Sequence, residues 1–369
     1  MDTGGSVKHS DEIQKELSNT SYACSSLKLL SGGTANFIFK GFLTHPLEDG
    51  NQEVVVKHGE GYIASMPDFK IPTSRCHIEE ECLKAISQMP IPDGLHRVYV
   101  PRLYYFNPDT NTQVQQYLPD AVDLKSYALQ HFAMPDPARK PLSCELGHSL
   151  GTWLRRFHSW VSLPEQRTKL YDLVKSNKPM QDIKQMVNYS YLVPTIDNFP
   201  SIFGGAKEVF EQVERMAAAE LARPDLEIIH GDFWTGNVLI PNKPLEKGTS
   251  IPVFIIDWEV CELGVPPLDL GQMIAELYEL FLFKNMDEGK SLIDGFAAGY
   301  GEIDNELAFR TAIHIGTHLI CWGSRVPNWG SDEQVREVVK TGKDLILRAW
   351  HKDRSFFEAS DLACLFRRS

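Results

Sequence analysis

IIHGDFWTGNVLI, residues 228–240, sets a histidine, an aspartate, a tryptophan and an asparagine between two β-branched apolar runs. Burying Ile228, Ile229, Val238, Leu239 and Ile240 is favourable, so a polar break at fixed spacing inside that run implies a use that offsets the lost burial. Further on, IPVFIIDWE (251–259) is a second apolar run that ends in an acid, after the turn-rich PNKPLEKGTS (241–250). Two short strands joined by a turn predict a hairpin. With 238–240 antiparallel to 253–256, Asn237 and Asp257 fall side by side at one open end. Asp232 lies five residues before Asn237. Three oxygen-bearing side chains then converge on one loop, the environment that Mg²⁺ carried by nucleotide phosphates prefers. A lone D-x-x-x-x-N more often makes only loop hydrogen bonds, so the reading depends on what accompanies it.

The chain of 369 residues exceeds the roughly 250–300 at which a single core stops growing, which predicts two lobes. It is 43% hydrophobic and 23% charged, and no run approaches the ~18 apolar residues of a membrane span. No membrane partner is expected. The start, MDTGGSVKHSDE, has neither a basic flank nor an apolar core, so residues 1–10 are expected to be a loose tail and a cytoplasmic location is the default. Seven cysteines without a CxxC pair predict reduced, packed thiols. A formal net charge of −12 works against a nucleic-acid partner and suits a small cation as substrate.

Along the chain, a helical start over 11–17 precedes SLKLLSGGTANFIFKGFL, which reads as strand, glycine turn, strand. A strand EVVVKH (53–58), a helix over 73–89 and two strands within 99–118 complete a sheet-rich segment. After the hinge-like Gln116, Tyr117, Leu118 and Pro119, helical periodicity takes over, as in LGHSLGTWLRRFHSWV, DLGQMIAELYELFLF and DEQVREVVKTGKDLILRAW. The expected architecture is α+β, with a sheet-rich N-lobe over 1–118 and a mainly helical C-lobe over 119–369.

Phosphate chemistry needs a cation, and Lys57 ends the apolar EVVV where burial is costly unless an anion meets it. On the helix that follows, Ile78, Cys82, Ile86 and Met89 share one face at ~100° per residue. Glu79 points into that face and Glu80 away from it, so Glu79 is expected to hold Lys57, with Glu81 as the fallback. SGGTAN (31–36) has only two glycines, yet its place between the first two strands suits backbone N–H groups covering phosphates.

HGDFWTGN, IDWE and PLDLG, with the strand lysine and helix glutamate upstream, resemble the aminoglycoside phosphotransferase and choline kinase superfamily, whose fold is bilobal and protein-kinase-like. VVVKHGEGYIASMPDFKI, IDWEVCELGVPPLDLGQM and CWGSRVPNWGSDEQ look most like methylthioribose kinase relatives, including fungal hydroxytryptamine kinases. The resemblance implies Asp232 as catalytic base and Asn237 and Asp257 as Mg²⁺ ligands. It also implies Lys57 with Glu79 on the α/β-phosphates and Ser31, Gly32, Gly33 and Asn36 over the nucleotide. Gln116, Tyr117 and Leu118 are counted with the nucleotide-binding residues. The expected activity is ATP-dependent transfer of the γ-phosphate to a hydroxyl of a small molecule.

Two other classes compete. A degraded kinase-fold protein that only binds nucleotide is disfavoured because Lys57, Glu79, Asp232, Asn237 and Asp257 are all present. A protein kinase is disfavoured because eleven residues between Asp257 and Asp269 are too few for an activation segment. Asp269 reads as a structural acid near the catalytic loop, and His158, His314 and His318 as packing residues, the last two lacking a nearby third metal ligand. Trp234, Glu259 and Trp329 are the expected acceptor residues, with Trp329 preferred over Trp322 because it lies in a loop. Indole faces and acids there suit a hydroxylated amine or an aromatic alcohol.

Overall fold

The computed structural model describes residues 3–30, 33–327 and 329–367, so Ser31 and Gly32 lie outside the described residues. The chain divides into two compact units. One comprises Met1–Gln88, Val100–Pro119 and Trp258–Val260, and the other Met89–Tyr99, Asp120–Asp257 and Cys261–Ser369.

The first unit is built on a five-stranded antiparallel sheet in the order Cys24–Leu29, Phe37–Leu43, Glu53–His58, Thr112–Gln116, Leu103–Asn107. Val54 and Val56 of EVVVKH are fully buried in a cluster with Ile13, Leu17, Phe39 and Val114. Because successive strand residues point to opposite faces, Lys57 leaves that cluster for the other side of the sheet. Its cross-strand neighbour there is Gln113. The helix Ser74–Ile86 is one turn shorter at its C-terminus than its periodicity predicts, and it buries Ile78, Glu79, Cys82, Leu83 and Ile86. Glu80 turns to its own helix, bonding His77 Nδ1 at 2.8 Å and Lys84 Nζ at 2.5 Å.

In the second unit the helices Arg139–Val161 and Asp287–Tyr300 lie backbone against backbone. A Cβ on Gly151 would sit 2.0 Å from Phe296 O, and one on Gly299 2.0 Å from His148 O, so only glycine permits this approach. That contact fixes the ends carrying His158 and Tyr300, whose side chains meet at 3.1 Å. The hairpin forms between Val238–Pro241 and Pro252–Ile255, with Val238 opposite Ile255. It is flanked by Ala121–Asp123 on one side and by Arg97–Tyr99, which pairs parallel to it, on the other. A second pair of short strands joins Glu227–Ile229 to Glu262–Gly264. The loop 230–237 is thereby held at both ends by strands. Among the described residues, no helix is long and apolar enough to cross a membrane.

Candidate active site

In the first unit Lys57 is 6% exposed and its Nζ lies 2.9 Å from Glu79 Oε1 and 2.8 Å from Oε2. Gln113 Nε2 donates to Glu79 Oε2 at 3.2 Å and to Cys76 O at 3.1 Å, which fixes the carboxylate against the strand. Asn36 is 5% exposed; it accepts from Arg75 Nη2 at 2.8 Å and donates to Glu259 Oε2 at 2.7 Å. Glu259 Oε2 also lies 3.3 Å from Arg75 Nε and 3.7 Å from Lys57 Nζ. Two cations and two carboxylates thus balance in one buried cluster, the arrangement that makes a buried charge tolerable. Gly33 approaches Ile38 so closely that a Cβ would fall 2.7 Å from its Cδ1. Gln116 accepts from Arg102 N at 3.3 Å, the Tyr117 ring lies 4.4 Å from Lys40 Nζ, and Leu118 is half-buried in a segment without regular structure.

In the second unit Asp232 has its two oxygens in different surroundings. Oδ1 accepts from Lys184 Nζ at 2.9 Å and from Gln272 Nε2 at 2.8 Å. Oδ2 accepts from Asn237 Nδ2 at 3.0 Å, and the same amide reaches Asp232 O at 2.9 Å. Burial alone would raise this carboxyl. The Lys184 ammonium, with the hydrogen bonds from Lys184 and Gln272, more than offsets that and holds it below its ordinary value. Ile256 N donates to Asn237 O at 3.0 Å, which brings Asp257 to the same end of the hairpin as Asn237. Asp257 has φ +68, a left-handed backbone that costs an aspartate ~1–3 kcal/mol and that clusters at functional sites. With Asn237 Nδ2 engaged, its Oδ1 and the Asp257 carboxylate are hard oxygens that could hold Mg²⁺.

The loop itself is clamped from below by the helix Pro267–Lys284. Asp269, fully buried, accepts from His230 N at 2.9 Å, Gly231 N at 3.0 Å and His158 Nε2 at 3.1 Å. His230 donates from Nε2 to Ile256 O at 3.1 Å and accepts Asp232 N on Nδ1 at 3.2 Å. Burial keeps its ring neutral by lowering its pKa, against the attraction of Asp269 and Asp232. Gln272, Glu276 and Glu279 continue the same stripe at helical spacing. Glu276 meets Thr235 Oγ1 at 3.3 Å, His318 Nε2 at 3.0 Å and Lys125 Nζ at 3.0 Å. Burial would raise Glu276, but the His318 bond and Lys125 charge pull it down to about 2; Glu279 is pushed well up by its own burial and by the Glu276 carboxylate beside it. Polar residues at 269, 272, 276 and 279 in an otherwise apolar helix were the sequence signal for this stripe. Lys184, on the helix Lys178–Gln185, had none.

Two of the expected acceptor residues have partners of their own within the protein. Glu259 belongs to the Lys57 cluster, where three polar neighbours occupy its carboxylate. Trp329 is 8% exposed, donates to Glu279 Oε2 at 3.1 Å, and has Lys125 Nζ at 4.3 Å and Lys284 Nζ at 4.6 Å from its ring. Those two ammonium groups already take the cation–π role expected for a ligand. A loop position did not expose this indole because its N–H found the buried Glu279 and its ring two half-buried lysines. Trp322 is the exposed one, at 39%, with Nε1 tied to Asn188 Oδ1 at 2.8 Å. Trp234 is half-buried, its ring 5.7 Å from Lys125 Nζ. His318 does have further metal-capable neighbours, Glu276 and Glu279, although Lys125 supplies the positive charge among them. His314 packs, bonding Tyr189 OH at 2.6 Å.

Comparison with known proteins places this geometry. A model of the phosphotransferase enzyme family matches residues 45–311. The phosphotransferase FrzJ of Cladobotryum sp is 31% identical over 359 residues, covering 93% of this chain and 92% of its own. The 4-hydroxytryptamine kinase of Psilocybe cyanescens is 25% identical over 341 residues, 89% of each chain. Among solved structures, the GDP complex of aminoglycoside 2'-phosphotransferase-IIIa superposes with a TM-score of 0.51 at 14% identity, over 93% of this chain and 99% of that one. With the family pattern running through most of its length and the protein-kinase-like fold shared with such neighbours, the chain belongs to the phosphotransferase enzyme family.

Proposed function

We propose that the protein transfers the γ-phosphate of ATP to a hydroxyl of a small molecule, favouring a hydroxylated amine or an aromatic alcohol. The observation that carries this reading is the Asp232 carboxylate, ionised, with two donors on Oδ1 and, among the described residues, the Asn237 amide alone on Oδ2. In the proposed reaction the acceptor oxygen forms a bond to the γ-phosphorus as the bond from that phosphorus to the β-bridging oxygen breaks. The hydroxyl proton passes to Asp232 Oδ2, and ADP leaves. Lys57, aligned by Glu79, serves the α/β-phosphates, while Arg75 and Glu259 keep the cluster neutral before the nucleotide arrives. Asn237 Oδ1 and Asp257 would hold Mg²⁺, which neutralises phosphate charge when bound. Gly33, Gln116, Tyr117 and Leu118 are assigned to the nucleotide.

The acceptor class is supported by the hydroxytryptamine kinase relative, by the net charge of −12 and by the exposed Trp322 indole. The test is nucleotide consumption across amino alcohols, hydroxyindole amines, phenols, aminoglycosides and thioribosides, with products identified by mass. Asp232→Asn should lower kcat by ~10²–10⁴ with nucleotide affinity nearly intact. Unchanged kcat in that variant removes Asp232 from the chemistry, and phosphorylation confined to anionic sugars removes the proposed acceptor class.

A further inference from the structure

HGDFWTGN carries no lysine or arginine, and its histidine is neutral, so the charge beside Asp232 must come from elsewhere. It comes from Lys184, 48 residues earlier. Its Nζ lies 2.9 Å from Asp232 Oδ1 and 3.2 Å from Gln272 Oε1, while Gln272 Nε2 lies 2.8 Å from the same Oδ1. The three side chains close a triangle, in which each bond restricts the other two. Lys184 is only 13% exposed, so its ammonium is largely desolvated and held by these partners rather than by water.

The helix bearing Lys184 runs directly into a π-turn, Met186–Ser190, and a second π-turn spans Leu319–Gly323. The two are tied at Asn188, whose O accepts from Cys321 Sγ at 3.0 Å and whose Oδ1 accepts from Trp322 Nε1 at 2.8 Å. Such turns recur at functional sites because they re-aim side chains that a regular helix would carry past. Lys184 therefore stands about one helical turn before the anchored Asn188. The groups facing it are Asp232 and Gln272, with Glu262, Gln181, Asn188 and His314 around an adjoining cavity of about 20 Å³.

We propose that Lys184 is the positioning residue of the phosphotransfer, fixing Asp232 Oδ1 so that only Oδ2 is presented to the acceptor hydroxyl. This rests on the proposed function, since it assigns the orientation of the same base. A 1 Å displacement of a reacting group costs on the order of 10²-fold in rate, so losing the hold should appear in kcat rather than in nucleotide binding.

The experiment uses the full chain. Lys184→Met should lower kcat by about 10²-fold with the nucleotide KM unchanged. Lys184→Cys treated with bromoethylamine, which rebuilds an ammonium at lysine length, should recover most of the loss. The same variant treated with iodoacetamide should not, and wild type treated identically controls for its seven native cysteines. Full kcat in Lys184→Met, or equal recovery with the neutral reagent, overturns the proposal and leaves the kinase reading standing if Asp232→Asn still lowers kcat. A second measurement needs no turnover: the melting shifts of Lys184→Met, Asp232→Asn and the double variant. The pair predicts that the double variant melts well above the additive expectation, because each single change strands a partner that the double change removes. Additive shifts overturn the hold itself. If wild type phosphorylates no acceptor, the proposed function falls, and this coupling still decides the role of Lys184 toward Asp232.

Discussion

Glu262→Gln should make stability less dependent on pH. Glu262 opens the strand Glu262–Gly264, is 3% exposed, and has no hydrogen-bond partner on Oε2 among the described residues. Burial pushes its pKa up to about 8; the Lys184 charge opposes this and Asp269 adds to it. The folded state therefore keeps a proton that the unfolded chain releases near its ordinary value of 4.5. Because the unfolded state binds fewer protons, stability falls as pH rises through that window, from the unfolded value to the folded one. At 1.36 kcal/mol per pKa unit, the loss is about 1 kcal/mol at pH 5, about 3 at pH 7 and about 4 at pH 8. Glutamine has the shape of the protonated acid and no titration. Its buried amide adds a cost of ~1–3 kcal/mol that does not change with pH. The informative quantity is thus the slope of the difference between the two proteins, in which other titrating groups cancel. At roughly 1.3–2 °C per kcal/mol for a chain of this length, the melting temperature of Glu262→Gln should gain roughly 3–5 °C on wild type between pH 5 and pH 7. Calorimetry at half-unit steps from pH 5 to pH 8 measures it. A difference that stays flat would show that Glu262 is ionised in the folded protein and would refute the reasoning.

Lys57→Met should raise the nucleotide KM and lower kcat together, and should destabilise by ~3–5 kcal/mol because Glu79 and Glu259 lose a buried counter-ion. Wild-type nucleotide affinity, turnover and melting in that variant would remove Lys57 from the phosphate role. Asp269→Asn leaves one of the His230, Gly231 and His158 donors facing an amide N–H. It should cost ~1–3 kcal/mol for the stranded donor and should lower kcat more than nucleotide affinity, read by denaturant unfolding and steady-state kinetics. A variant with wild-type stability and kcat would show that the loop holds its shape without Asp269.

Short-range pattern was enough for one part of the site. Alternation in EVVVKH set Val54 and Val56 against a core and left Lys57 on the opposite face; the 100° periodicity of the next helix turned Glu79 inward, and the two meet at 2.8 Å. The runs on either side of the turn at 241–250 fixed the hairpin that sets Asn237 and Asp257 at one end. These follow from local geometry, because strand and helix periods dictate which neighbours share a face. Which distant group satisfies each buried charge was settled by long-range packing. Nothing near HGDFWTGN announces that Lys184 and Gln272 hold Asp232, since neither belongs to its loop. Glu259, two residues after Asp257, could have faced an acceptor; packing gave it to Asn36, Arg75 and Lys57 instead. Trp329 read as a free aromatic in a loop, and two lysines and Glu279 claimed it. A buried carboxylate, ammonium or indole N–H must find a partner, and the partner is chosen by whichever helices pack beside it, a long-range outcome that residue spacing does not encode.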